Sequence, residues 1–486
     1  MKRKQVDEVL QSFRLWRTAA GETYVDFVDK DKAQTVSTRS KAFEGIVTQK
    51  LYEADIVPKA ENVRAVMAVA EHMARRSDVV NEANLRVAAG AAGTCFYDVG
   101  DDEWTTIHFG SGRWAIQKGA PVKFVRGQHT LTQTLPKTSS GSGRDLRTLL
   151  GRMIRADERT LRLLEAWLIG ALKPGGPYPV LIINGEQGSA KSTTSRLLRR
   201  IIDPHGLDLR EPPREARDLA AGVKNSYVLA YDNVSRVPAW FSDSLCRIAT
   251  GTGSVGGRAL YTDTDEVAFV ACRPIILNGI PDFVEREDLS DRSITVHLPA
   301  ISPEQRRDDD TYWAEVGALM PELLGALYDR VAQAVTNFDN TVLESSPRMS
   351  NFAKWVVAGL PPDDARAFLD VLRQDRIEAM EQTLEHNSLA QALIEFIAER
   401  DRYVGTIHDL LGALRRFAPR DTTFWPDTSL KLSNSLKRLQ PILRAAGIEV
   451  ARAGREAGTG RTKLAVNRLP DMNSRPFAVS VAPAMH

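Results

Sequence analysis

An adjacent lysine and serine, Lys191 and Ser192, close the run Gly185, Glu186, Gln187, Gly188, Ser189, Ala190, Lys191, Ser192, with a further hydroxyl, Thr193, behind them. Residues of these types in this order form a phosphate-binding loop. The glycines let backbone N–H groups turn inward around phosphate oxygens, the lysine reaches the β- and γ-phosphates, and the serine hydroxyl is placed for Mg²⁺. ATP and Mg²⁺ are therefore the expected cofactors, with Gly185 to Thr193 as their binding residues. Ala190 stands where glycine usually precedes the lysine. Its methyl group is tolerable if the residue already has helical dihedrals.

The second half of such a site is an acid. Asp232 follows the apolar run Tyr227 to Tyr231, about forty residues after Lys191. There a carboxylate holds the metal together with Ser192, directly or through water. Asn278 ends another apolar run, Pro274 to Leu277, where a polar side chain orients attacking water, touches the γ-phosphate, or is simply a turn asparagine. Arg292 precedes Ile294 to Leu298 and is the better candidate for an arginine reaching a neighbouring subunit's phosphates, with Arg286 second and a surface salt bridge the alternative for either.

These residues need elements to hold them. Pro179 to Ile183 has the look of a buried strand feeding the loop, and the helix after it is amphipathic. Ahead of it come two helices, Asp145 to Ile154 and Asp157 to Leu172, the second capped by Asp157. Residues 1–136 read as an accessory α+β domain. Its clearest helix is Glu61 to Arg76, and its short strands are Leu85 to Ala88, Thr94 to Val99, Thr105 to Phe109, Trp114 to Gln117 and Val122 to Val125. Trp104 and Trp114 are expected near its core, with base stacking the less favoured role. Lys137 to Arg144 reads as a flexible linker. The ATPase core is expected over 145–302, with a polar segment at 203–222, a helical connector over 303–385 and a patternless tail at 471–486. Arg348, after a proline in the connector, is a candidate sensor arginine.

The series GEQGSAKS, VLAYDN, LCRIATGTGSVGGRALYTDTDEVAF, RPIILNG and DLSDRSITVHLP resembles the core of superfamily 3 helicases, compact AAA+ ATPases, in the phage, plasmid and poxvirus primase-helicase branch. The resemblance covers about a quarter of the chain. It implies a nucleotide-driven hexameric ring on single-stranded DNA, with Asn278 as sensor 1, Arg292 as the arginine finger and a hairpin between Arg258 and Phe269. Two positions depart from the pattern. Asn233 replaces the usual second carboxylate, leaving Glu186 as a candidate substitute or hydrolysis slow. The hairpin tip, Thr262 to Glu266, is acidic where the family offers a cation, so Arg258 at the base is the candidate DNA contact.

Residues 386–470 have the element order of a winged helix: Ser388 to Arg400, a strand at Tyr403 to Gly405, Ile407 to Phe417, Leu430 to Ala446, then strands Glu449 to Ala453 and Lys463 to Asn467. Leu432, Leu436, Leu439 and Leu443 form a core stripe. That leaves Lys431, Lys437, Arg438 and Arg444, with Arg452, Arg461 and Lys463 of the wing, as candidate DNA contacts.

Composition adds limits. The 486 residues carry a net charge of +2, so any nucleic-acid signal is local. Cys95, Cys246 and Cys272 are far apart and suggest neither a zinc site nor a disulfide framework. No signal peptide and no membrane-length apolar run is seen, so a cytoplasmic protein without a membrane partner is expected. The expected fold is α/β: a P-loop AAA+ core between a small α+β region and a winged-helix domain. The expected function is an ATP-hydrolysing DNA helicase of a phage or mobile element, a homohexamer on single-stranded or forked DNA. Residues 1–140 show no primase site, so any priming falls to a separate protein. The alternative is an ATP-switched DNA-binding or loading protein with little hydrolysis.

Overall fold

A computed structural model describes residues 3–29, 32–138, 145–258, 266–280, 283–284, 286–344, 347–418, 425–456 and 461–469. Most of the expected linker (139–144), most of the expected hairpin tip (262–265) and the tail after 470 lie outside the described residues. The chain divides into two compact units, Met1–Phe368 and Leu369–His486.

The first unit begins with α1 (Arg3–Leu10), the antiparallel sheet β1 (Arg14–Arg17), β2 (Thr23–Asp29) and β3 (Lys32–Ser37), then α2 (Lys41–Glu53) and α3 (Ala60–Arg75). Phe13, Val25, Phe43, Val47, Leu51 and Val66 make its core. A second antiparallel sheet follows, β4 (Val87–Ala89), β5 (Cys95–Asp98), β6 (Thr105–Gly110) and β7 (Arg113–Lys118), paired in chain order. The strand expected at Val122 to Val125 does not form. Pro121 removes a donor, and a single bridge from Phe124 to Asn84 remains, with the Phe124 ring turned onto Ala88 and Phe96. Trp104 is half-buried against that small core and lies under the Arg126 guanidinium, 3.8 Å from its ring centre. Trp114 packs outside its own sheet, edge-on to Tyr328 with its indole N–H given to Asp329 at 2.8 Å.

The centre of the unit contains α4 (Leu146–Met153), α5 (Glu158–Ala171), β8 (Val180–Gly185), α6 (Lys191–Ile202), α7 (Ala216–Asn225), β9 (Leu229–Val234), α8 (Ala239–Thr250), β10 (Ser254–Arg258), β11 (Glu266–Val270), β12 (Ile275–Gly279), α9 (Glu287–Ser290) and β13 (Ser293–Leu298). Strands β13, β8, β12 and β9, in that order, pair in parallel. The two inner strands read as apolar runs because helices cover both faces of a parallel sheet, β8 and β12 being buried at every position, whereas the edge strand β13 alternates. Asp157 caps α5 by accepting the Thr160 N–H, as expected. Two boundaries move. Strand β9 continues through Asp232 to Val234 and β12 through Asn278 to Gly279, because the Gly279–Val234 pairing prolongs the ladder. The segment expected to be polar holds most of α7, which buries only Leu219, Gly222 and Val223. β10 and β11 form an antiparallel hairpin from Ser254 opposite Val270 to Arg258 opposite Glu266, so it starts four residues earlier than the Arg258 to Phe269 expected.

The connector comprises α10 (Asp309–Asn337), α11 (Ser350–Gly359) and α12 (Pro362–His386). Within the expected helical connector, α11 buries Phe352, Trp355 and Val356, and Trp355 Nε1 donates to the Ile169 carbonyl at 3.0 Å. Beneath it Glu165 is 1% exposed, and neither carboxylate oxygen has a hydrogen-bond partner. Burial pushes its carboxyl up to about 7; Arg147 and Arg330, each 3.8 Å away, oppose the rise, while Asp145 and Asp364 add to it. Between the ordinary value and 7 the folded chain therefore holds a proton that the unfolded chain has released, and stability falls as pH rises. The expected result is that Glu165→Gln gains on the wild type by on the order of 3 kcal/mol between pH 5 and 8. Urea unfolding across that range checks it, and a pH-independent difference would contradict it.

The second unit has α13 (Ser388–Ala398), β14 (Arg402–Thr406), α14 (Ile407–Leu414), α15 (Ser429–Ala445), β15 (Ile448–Arg455) and β16 (Thr462–Arg468), with sheet order β14-β16-β15. Leu432, Leu436, Leu439 and Leu443 are buried as the stripe requires, against Leu393, Phe396, Leu410 and Val466. Thr406 and Asp409 form a capping box that starts α14 at the end of β14. No helix among the described residues is long and apolar enough to cross a membrane.

Candidate functional site

The loop from Gly185 to Lys191 joins the end of β8 to the start of α6, at the carboxyl edge of the parallel sheet. Gly185 is packed so closely that a Cβ there would lie 2.5 Å from Ser189 Oγ and 2.7 Å from the Leu298 carbonyl. The Ser189 N–H and hydroxyl both donate to the Glu186 carbonyl, at 3.3 and 2.9 Å, which closes the turn. Gly188 has φ +84°, open to glycine alone without strain. Ala190 does not meet the condition of helical dihedrals: φ 56° and ψ 29° place it in the left-handed region as the N-cap of α6. The loop must reverse there before the helix begins, and for a residue with a Cβ this costs on the order of 1–2 kcal/mol.

Lys191 Nζ is folded across the loop and donates to the carbonyls of Gly185 and Glu186, both at 2.7 Å. Partial burial lowers its pKa, an effect the nearby Asp232 carboxylate opposes. Glu186 and Gln187 are exposed on the rim, and Thr193 is half-buried in the first turn of α6.

Ser192 Oγ donates to Asp232 Oδ1 at 2.8 Å, joining α6 to β9. The same oxygen accepts the Asn233 N–H at 3.0 Å, and that N–H also faces Asn278 Oδ1 at 3.0 Å. Asn278 is 1% exposed and gives its amide N–H to Ser195 Oγ at 2.8 Å, while Ser195 donates to the Lys191 carbonyl at 2.9 Å. Strand β12 lies between β8 and β9, so Asn278 sits between the loop and the acid and ties them together. Both ends of its amide are engaged with protein. Asn233 is left-handed at φ 54°, with its side chain exposed. The fold thus brings Lys191, Ser192, Asp232, Asn233 and Asn278 together. Ser195 is a brace that the sequence reading missed, and its place one turn after Lys191 was the available signal.

The donor set at this point consists of hard oxygens, one hydroxyl and one carboxylate, which suits Mg²⁺ supplemented by water and phosphate. Among the described residues no group of three or more His, Cys, Asp or Glu could hold a metal.

Arg292 is elsewhere. Ser293 pairs with Val180 at the start of β8 and Leu298 with Gly185 at its end, so Arg292, one residue before, lies about 20 Å along the sheet from the loop. It is ion-paired with Asp288, whose carboxyl it holds below the usual range. Arg348 joins the same cluster, 3.2 Å from Asp288 and 2.9 Å from Asp291. Arg286 pairs with Asp243 at 3.1 Å. Arg258 is at the end of β10, and its side chain lies outside what is described.

An open cleft of about 470 Å³ adjoins the loop, lined by Ile154, Arg155 and Ala156 from the end of α4 and by Ala300, Ile301 and Gln305 after β13. The Ile301 N–H donates to the Gly188 carbonyl at 3.3 Å and fixes the cleft against the loop. Sequence reading missed it, since its two walls are nearly 150 residues apart.

In the second unit Lys437, Arg438, Arg452 and Arg461 are exposed and Lys463 half-buried. Lys431 is paired with Asp427 at 2.8 Å and Arg444 lies 3.9 Å from Glu449, so part of this basic set is locally compensated.

Residues 146–377 match the family model "Actinomycete integrative conjugative element replication protein", and residues 389–474 match the model "AICE RepA C-terminal domain". By both matched parts, the chain is a mobile-element replication protein. The first match contains the loop, Asp232, Asn278 and Arg292; the second contains α13 to β16 with the basic residues of α15 and β15. Residues before 146 fall outside both. Among solved structures the chain is similar to "The A form apo structure of NrS-1 C terminal region-CTR", at 14% identity and a TM-score of 0.41, covering 96% of this chain and 99% of that one. A further apo structure of the NrS-1 C terminal region gives 14% identity and a TM-score of 0.39, covering 96% and 99%. No curated protein matches.

Proposed function

We propose that this replication protein is an ATP-hydrolysing DNA helicase of the superfamily 3 AAA+ type, assembled as a homohexameric ring on single-stranded or forked DNA in the cytoplasm. The observation that carries the reading is the 2.8 Å contact between Ser192 Oγ and Asp232, made beside Lys191 at the carboxyl edge of a parallel sheet. ATP lies with its phosphates along Gly185 to Thr193, and Ser192 with Asp232 holds Mg²⁺. Arg292, too distant for its own chain's loop, is offered to the neighbouring subunit's nucleotide. Any priming comes from a separate protein. Displacement of an annealed strand from a tailed duplex, dependent on ATP and lost in Lys191→Ala, tests the reading; wild-type protein that hydrolyses ATP yet displaces nothing would contradict it.

A second reading has its own observation. Asn233 occupies the place of a second carboxylate, and the Asn278 amide is engaged at both ends. An ATP-switched DNA-loading protein, assembling with little turnover, needs no residue to polarise water.

The element order of the second unit is that of a winged helix, with α15 as the DNA-facing helix and the β15–β16 hairpin as the wing. The double substitution Lys437→Ala/Arg438→Ala is expected to weaken DNA binding about tenfold near 0.1 M salt and to lower the slope of log K against log salt by about 1.5. Fluorescence anisotropy over a salt series checks both, and an unchanged slope would place DNA on another face.

A further inference from the structure

Arg306 lies against the loop itself. Arg307 is paired with Glu315 at 2.6 Å, and Arg200 is paired with Asp208 at 2.5 Å and stacked on Trp313. The Arg306 guanidinium has no ion pair with any described residue and lies instead against the phosphate-loop glycine. A Cβ built on Gly188 would be 2.9 Å from Arg306 Nη2 and 3.8 Å from its Cζ. The approach is held from both sides. Ile301 is hydrogen-bonded to Gly188, and the short 3₁₀ turn Pro303–Gln305 closes with the Arg306 N–H on the Pro303 carbonyl at 3.3 Å. Gln305, the residue before, lines the cleft beside the loop.

The loop therefore gathers the N-terminus of α6, the Lys191 ammonium and a second cation that no described carboxylate neutralises. Asp232 is already engaged by Ser192, and Glu186 on the rim makes no ion pair with Arg306. Such a concentration of donors and positive charge is complementary to a polyanion.

We propose that Arg306 contacts the nucleotide's polyphosphate from within the same chain, a role distinct from that of Arg292. This rests on the nucleotide reading of the loop and adds a residue to it. The bare Gly188 and the left-handed turn around it then serve two purposes: they free the backbone N–H groups, and they leave a surface on which the guanidinium can lie beside bound phosphate. Arginine suits the position because its planar fork meets two oxygens at once and its charge does not titrate.

The test is equilibrium titration of the full chain with fluorescent methylanthraniloyl derivatives of ATP, ADP and AMP, for wild type, Arg306→Ala, Arg306→Lys and, as a control, Arg307→Ala. Arg306→Ala is expected to bind ATP and ADP about tenfold more weakly, with AMP changed less than twofold. Arg306→Lys, which keeps the charge but not the fork, should recover only part of the loss, Arg307→Ala should match the wild type, and all variants should unfold at the wild-type temperature without nucleotide. Wild-type affinity for ATP in Arg306→Ala, or an equal loss for all three nucleotides, would overturn the proposal. Wild-type protein that binds none of them would overturn the nucleotide reading itself, and this inference with it.

Discussion

Lys191→Ala is expected to weaken ATP binding by about two to three orders of magnitude and to remove turnover. The ammonium rests on two carbonyls at 2.7 Å, Gly185 and Glu186, so it is already held at the mouth of the loop and needs only to turn toward incoming phosphate. Deleting it removes a charge and several charge-assisted hydrogen bonds, each contributing roughly 1.5–3 kcal/mol. At about 1.4 kcal/mol per decade, two such bonds account for the predicted loss. The carbonyls left behind are reachable by water, so the fold should tolerate the change, with a melting temperature within about 2 °C of wild type. Calorimetric titration with ATP checks the first part and thermal unfolding the second. Retained affinity in a folded Lys191→Ala would show that the loop is not the nucleotide site.

Asp232→Asn is the second large effect, and it separates binding from chemistry. The carboxylate accepts from Ser192 at 2.8 Å and from the Asn233 backbone at 3.0 Å. An amide can still accept from both, so β9 and α6 should stay in place. What is lost is the negative charge that the proposed Mg²⁺ site requires of this pair of oxygens. Turnover should fall by about a hundred- to a thousandfold while ATP affinity falls by less than about tenfold, since the loop and Lys191 remain. Steady-state phosphate release at several Mg²⁺ concentrations is the measurement. Loss of binding equal to the loss of turnover would make Asp232 a structural residue of the strand end.

Much of this site lies in one continuous stretch. Val180 to Ile202 carries strand, loop and helix together, and local periodicity with glycine spacing reports such an arrangement. The four Leu of α15 and the element order of the second unit were readable for the same reason. What escaped depends on approach in space. The Asn278 amide is aimed by Ser195 and the Asn233 backbone, and Arg306 reaches Gly188 across more than a hundred residues. The contact of Arg348 with Asp288 and Asp291, which places it beside Arg292, is likewise invisible to spacing. Helix α7 hid because it buries only three of its ten residues in a charged segment. The conformation of Ala190 escaped for a different reason: residue type states a preference for dihedrals, whereas the turn from β8 into α6 demands them.

The cluster of Arg292 with Asp288 bears on assembly. Arg292 is 20% exposed and already paired within its own chain, so reaching a neighbour requires that pair to open. A ring would then form or tighten only when nucleotide phosphate competes for the guanidinium.

The central claim is a DNA-driven ring motor, and one paired measurement tests it most directly: ATP turnover with and without single-stranded DNA, alongside the particle mass in the presence of ATP. The account predicts a sixfold mass with ATP and DNA and a turnover rate raised at least severalfold by the strand. Turnover that DNA leaves unchanged, in a particle that remains a monomer with ATP, would contradict it.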